Sequence, residues 1–131
     1  MTPVTQVDFT VDCDHGIILV EPLGSQADHS DWDVATSSTH LEGDSLYIAT
    51  RPNMEGEVTV SVRYADLANE PPDDLTPVFN GRLAVPTRTL LIGDSDMNVE
   101  IRLPVWSETC AAAVLVDAPG FASRVFIALD G

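Results

Sequence analysis

A chain of 131 residues has room for one hydrophobic core and too little for two, so residues 1–131 read as a single domain. Its 44% apolar content excludes a disordered acidic tail. Against 21 Asp and Glu stand 6 basic residues, all Arg, for a net charge of −15; a field of that sign disfavours nucleic-acid phosphates and anionic lipid and favours a cation or a basic protein partner.

The opening MTPVTQVDF has no basic segment followed by an apolar run, and no stretch approaches the ~18 apolar residues of a membrane span, so the expected location is cytoplasmic. Val7, Phe9 and Val11 then alternate with Asp8, Thr10 and Asp12, a period of two that predicts a half-buried strand. Turn residues over Asp12–Gly16 lead into the apolar run Gly16 to Val20. Glu21 to Asp44 is the longest stretch without a predicted strand. Ser45 to Thr50 is the next apolar run, and after the Pro52–Gly56 turn Val58, Val60, Val62 and Tyr64 alternate with Glu57, Thr59, Ser61 and Arg63.

Tyr64 to Leu75 is the nearest approach to a helix, but Pro71-Pro72 breaks it, leaving a loop with one helical turn at most. Residues 78–85 form a weaker strand candidate in which Asn80-Gly81 offers a hairpin turn or a bulge. Thr89 to Ile92, Val99 to Leu103, Ala111 to Val116 and Arg124 to Leu129 complete the series, separated by turn chemistry at Gly93–Asn98 and Ala118–Gly120. About eight or nine short strands in one small chain predict an all-β fold, an antiparallel two-sheet β-sandwich, with a closed β-barrel as the alternative.

Chemistry-bearing motifs are sparse. Asp12-Cys13-Asp14-His15 and Asp28-His29-Ser30-Asp31-Trp32-Asp33, with His40 beyond, bring metal-binding residue types close together, but their spacing fits no zinc or calcium pattern. They read as turn and loop residues, so no metal and no cofactor is expected. No Gly-x-Ser-x-Gly elbow is present, and the chain is read as a non-enzyme. Cys13 and Cys110 are expected to be separate buried thiols, with a disulfide between them as the alternative in an exported protein. Trp106 is expected in the core, while Trp32 is left open between core and surface.

Long loops on a rigid β scaffold are where binding residues collect. The candidate partner-binding residues are therefore Asp28, Asp31, Trp32 and Asp33, with Glu70, Asp73 and Asp74 from the second acidic connection.

The stretches VTQVDFTVD, GDSLYIATRPNMEGEVTVSVRY and RLAVPTRTLLIGDSDMNVEIRLP, followed by AAAVLVDAPGFASRVFIALDG, are together similar to the competence protein J family of small acidic bacterial proteins, inhibitors of a DNA-uptake nuclease. The resemblance implies a non-enzymatic, inhibitor-type or immunity-type domain that masks a basic protein, and it assigns no residue a role. Alternatives are a metal- or carbohydrate-binding sandwich and a subunit whose strand edges pair into a homo-oligomer.

Overall fold

The computed structural model describes residues 5–64 and 73–130. Two five-stranded sheets pack face to face as a sandwich. Sheet A contains β1 (Thr5–Val11), β5 (Val58–Tyr64), β6 (Thr76–Ala84), β9 (Thr109–Val116) and β10 (Arg124–Asp130), in the order β1-β5-β10-β9-β6. Sheet B contains β2 (Ile17–Pro22), β3 (Thr39–Glu42), β4 (Ser45–Ala49), β7 (Thr89–Asp94) and β8 (Glu100–Pro104), in the order β3-β4-β2-β7-β8. Both sheets are open, so the barrel alternative does not hold.

The predicted alternation sets the register. Val58, Val60 and Val62 are buried in the shared core with Val125, Ile127 and Leu129 of sheet A and Ile18, Val20, Leu46, Ile48, Leu90 and Ile92 of sheet B. The residues between them face outward. Burying a Val, Leu or Ile side chain is worth ~1.5–3 kcal/mol, so this double layer is the main source of stability.

Three features differ from the sequence reading. β3 lies inside the stretch read as loop, because four residues, two of them exposed, carry no periodic signal. Asn80 and Gly81 pair in register with Ala113 and Ala112, so they make no hairpin turn, and the irregularity of β6 falls between Pro77 and Phe79. β10 pairs with β5 in parallel, and Thr50 and Ala122 form an isolated parallel bridge, whereas the other strand pairs among the described residues are antiparallel.

Loops Asp12–Gly16, Thr50–Glu57, Asp94–Val99 and Asp117–Ser123 meet at one pole and are tied together by hydrogen bonds. Asn53 N–H donates to the Cys13 carbonyl at 2.9 Å, Arg51 N–H to the Ala122 carbonyl at 3.0 Å, and Ser95 N–H to the Ile17 carbonyl at 3.3 Å. Gly93 belongs here because a Cβ on it would stand 2.2 Å from the Val99 carbonyl oxygen. Asp94, fully buried, accepts from Val99 N–H at 2.9 Å and from the Asn98 amide at 3.0 Å.

Cys13 and Cys110 are both buried and unpaired. Trp106, expected in the core, is 55% exposed; Tyr64 takes the buried place, its ring edge-on to the indole at 5.5 Å, and its hydroxyl accepts from Trp106 N–H. Among the described residues no helix is long and apolar enough to cross a membrane.

Candidate functional site

β2 ends at one pole and β3 begins at the other, so residues 23–38 must cross the outer face of sheet B. The crossover is anchored at its ends by backbone bonds, Leu23 N–H to the Thr89 carbonyl at 2.8 Å and Ala49 N–H to the Ser38 carbonyl at 2.9 Å. Beneath it, alternation along β2 and β4 turns Glu21, Ser45 and Tyr47 outward while Val20, Leu46 and Ile48 enter the core. His40 of β3 stands opposite Tyr47 on the same face.

The middle of the crossover is held by rings. His29 lies flat on Tyr47, with centroids 3.6 Å apart and planes 9° from parallel. Trp32 stacks on His40 at 6.1 Å and meets Tyr47 edge-on at 6.0 Å, while its indole N–H donates to the Ser37 carbonyl at 2.9 Å. A polar chain runs through the same rings. Ser45 Oγ donates to Glu21 Oε1 at 2.7 Å, His29 Nε2 lies 2.9 Å from Ser45 Oγ, and His29 Nδ1 lies 2.8 Å from His40 Nδ1.

The charges around this chain pull in opposite directions. Burial lowers the His29 imidazole below its ordinary value and the nearby His40 lowers it further, against the opposing fields of Glu42 and Asp28. Burial raises the Glu21 carboxyl, with Ser45's hydrogen bond opposing and Asp44 reinforcing. Tyr47 is raised by burial and by the Glu21 charge. Ser45 is fully buried, so the hydroxyl beside His29 cannot reach a substrate.

The candidate acids fall into separate groups. Asp28 and Asp33 are exposed but spend one oxygen each on their own turns, accepting from Ser30 N–H at 2.8 Å and Ala35 N–H at 3.0 Å. Asp31 is exposed and makes no hydrogen bond among the described residues. Asp73 and Asp74 are exposed on the sheet A side, where Asp74 pairs with Arg124 at 2.5 Å, and Glu70 lies outside the described residues. Sheet A and sheet B face opposite ways, so Asp28, Asp31 and Asp33 do not share a surface with Asp73 and Asp74. Trp32 is half-buried in the ring cluster.

The two metal-type segments are also apart from each other. His15 Nδ1 pairs with the Asp96 carboxylate at 2.8 Å across the pole, and among the described residues no three His, Cys, Asp or Glu side chains converge as metal ligands. The sequence reading did not single out Glu21, Ser45 and Tyr47. Their outward alternation on β2 and β4 was the available signal.

The whole fold is similar to that of ComJ. That solved structure, from Bacillus subtilis and described as the inhibitor of the DNA degrading activity of NucA, superposes with a TM-score of 0.76 at 10% identity over 99% of both chains. A crocagin biosynthetic gene J protein superposes with a TM-score of 0.59 at 11% identity, over 97% of this chain and 96% of its own. No family model matches the chain, and no curated protein sequence matches it. The likeness to ComJ read from the strand pattern therefore holds for the fold.

Proposed function

We propose that the chain works by binding another protein, as a non-enzymatic inhibitor-type partner that covers a basic surface. The observation that carries this reading is the end-to-end likeness to ComJ, an inhibitor of NucA, in a chain whose own charge is −15. Two local features support it. Asp28, Asp31 and Asp33 project from a loop fixed by stacked rings, which keeps the entropic cost of ordering them low on contact. The pole at which the crossover ends also exposes Met54, Met97 and Phe121, apolar side chains of the kind that anchor an interface whose charges steer the encounter. Burial of Ser45, the hydroxyl nearest an imidazole, argues against a serine hydrolase.

The test is capture at low salt from the native source on the immobilised full chain, followed by activity assays of what is retained. A basic protein should bind in stoichiometric amount and lose its own activity. Changing Asp28, Asp31 and Asp33 to Asn should slow association at low salt and matter little at high salt. Changing Met54, Met97 and Phe121 to Ser should speed dissociation instead. Retention of nothing, or of a protein whose activity is untouched, would remove the inhibitor reading.

A further inference from the structure

We propose that residues 23–38 form a proton-released strap, in which His29 and His40 clasp the crossover to sheet B as long as one of the two rings is neutral. Two imidazole nitrogens 2.8 Å apart need one hydrogen between them, donated by one ring and accepted by the other. The chain behind them fixes which does which. Ser45 gives its hydrogen to Glu21, so toward His29 its oxygen acts as an acceptor and His29 Nε2 carries a hydrogen. A neutral His29 then has a bare Nδ1, and His40 Nδ1–H is the donor.

This direction makes the clasp count protons. His40 can take a proton at Nε2 and still donate from Nδ1. His29 can be protonated only at Nδ1, which puts two N–H groups face to face and two like charges in adjacent rings. The first proton leaves the clasp closed and the second opens it.

Every element packed around the pair bears on that second proton. Asp28 from the crossover and Glu42 from β3 favour it, burial and His40 oppose it, and the resultant lies below the ordinary imidazole range. Glu21 on β2, itself raised by burial, and Asp44 before β4 add negative charge behind Ser45, and Tyr47 supplies a neutral ring face. His29 and Trp32 are carried by the same crossover, so once His29 lifts from Tyr47 the segment that holds Trp32 against His40 and Tyr47 is freed with it. The backbone anchors at Leu23 and Ser38 involve no titrating group, so the strap opens in its middle and the sheets persist.

Release would change how Asp28, Asp31 and Asp33 are presented, and to that extent its use rests on the partner-binding reading. The opening itself is measured on the chain alone, so each can fail without the other. In a Trp106→Phe background, where Trp32 is the one remaining indole, emission and amide hydrogen exchange are followed from about pH 8 to about pH 5.

Expected on acidification are a red shift of Trp32 and an about tenfold loss of protection, relative to the intrinsic exchange rate at each pH, confined to residues 26–37, with strand amides still protected and a pH dependence steeper than one proton. His29→Phe, which keeps the stack but not the titration, should abolish the transition. His40→Asn, whose amide can still donate to His29 Nδ1, should leave a shallower one-proton transition. His15→Gln, remote from the strap, should change nothing. The proposal is overturned if the protection of residues 26–37, relative to the intrinsic rate at each pH, is the same throughout the range, if they open only together with the strands, or if the transition survives His29→Phe.

Discussion

The two outer faces of the sandwich are finished in opposite ways. On sheet A, Leu75, Leu115 and Phe126 form a small apolar cluster with Ala128 beside it, and the Arg63 guanidinium lies over the Phe126 ring at 5.7 Å. Further along the same face Ala111, Ala113, Ala128, Asn80 and Asp130 line only a shallow depression of about 160 Å³. On sheet B a crossover of the chain lies over the face and is held by stacked rings and a hydrogen-bond relay. One face depends on apolar burial, which is indifferent to pH in the neutral range; the other depends on a hydrogen-bond relay through the His29 imidazole, whose charged form burial disfavours. A scaffold can thus keep a constant side and a responsive side around one core.

The sharpest test of the constant side is Phe126→Ala. It should cost about 3 kcal/mol in urea denaturation, by the same amount at neutral and mildly acid pH, because an aromatic side chain is deleted and no titrating group is touched. A loss that varied with pH would erase the contrast between the faces.

Asp117, at the pole end of sheet A, comes next. Burial raises its carboxyl, but hydrogen bonds from Ser123 and from the Ser123 and Arg124 backbone outweigh that and hold it below the ordinary carboxylate value. Its contribution is therefore present above about pH 3.8 and is lost as pH falls through the folded value. Asp117→Ala should destabilise by about 1 kcal/mol at neutral pH and by much less in strong acid, read from melting curves at both.

On the responsive side the sign is fixed by His29. Because burial in the folded chain holds the His29 imidazole pKa below its unfolded value, its contribution is present above the ordinary imidazole value of about 6.5 and is lost as pH falls through the folded value. His15, raised by its hydrogen bond to Asp96 and by that residue's charge, runs the other way, its contribution fading as pH rises. Solvent screening keeps the His29 effect below about 1 kcal/mol. Denaturation at about pH 8 and about pH 5.5 should show that His29→Phe removes the acid-side loss; an unaltered pH slope would assign the loss to other groups.

The smallest effect is expected from the acids of the crossover. Asp28, Asp31 and Asp33 changed together to Asn should alter stability by less than about 0.5 kcal/mol, because Asn can make the same turns at residues 28 and 33 and repulsion is relieved. A large loss would mean that these carboxylates hold the strap.

The contrast between the faces also separates what the sequence revealed from what it hid. The valines of β5 announced their strand because half-burial writes a period of two, and the same rule placed β1, while β9 and β10 were legible as short apolar runs and β6 only weakly. The sheet B surface was hidden for a physical reason. Its fixing contacts join residues 11 and 16 positions apart, His29 to His40 and His29 to Ser45, and no local periodicity encodes such pairs. β3 was missed because an exposed edge strand of four residues needs no apolar pattern. Trp106 misled because bulk suggests burial, whereas the smaller Tyr64 fills the site and offers its hydroxyl to the backbone. The acids were visible as residues, but their division between two faces depends on the topology.

The parallel insertion of β10 has a consequence for how the protein is made. β10 lies between β5 and β9, so before residues 124–130 are in place sheet A is two separate ladders, β1 with β5 and β6 with β9. A chain emerging residue by residue from the ribosome cannot close that gap from its beginning. During synthesis it presents the open backbone of β5 and of β9, and open strand edges recruit other strands. A chain cut before Arg124 is by the same geometry a receptor, with a vacant slot shaped for one strand of the sequence RVFIALD, and a peptide of that sequence supplied separately should complete it.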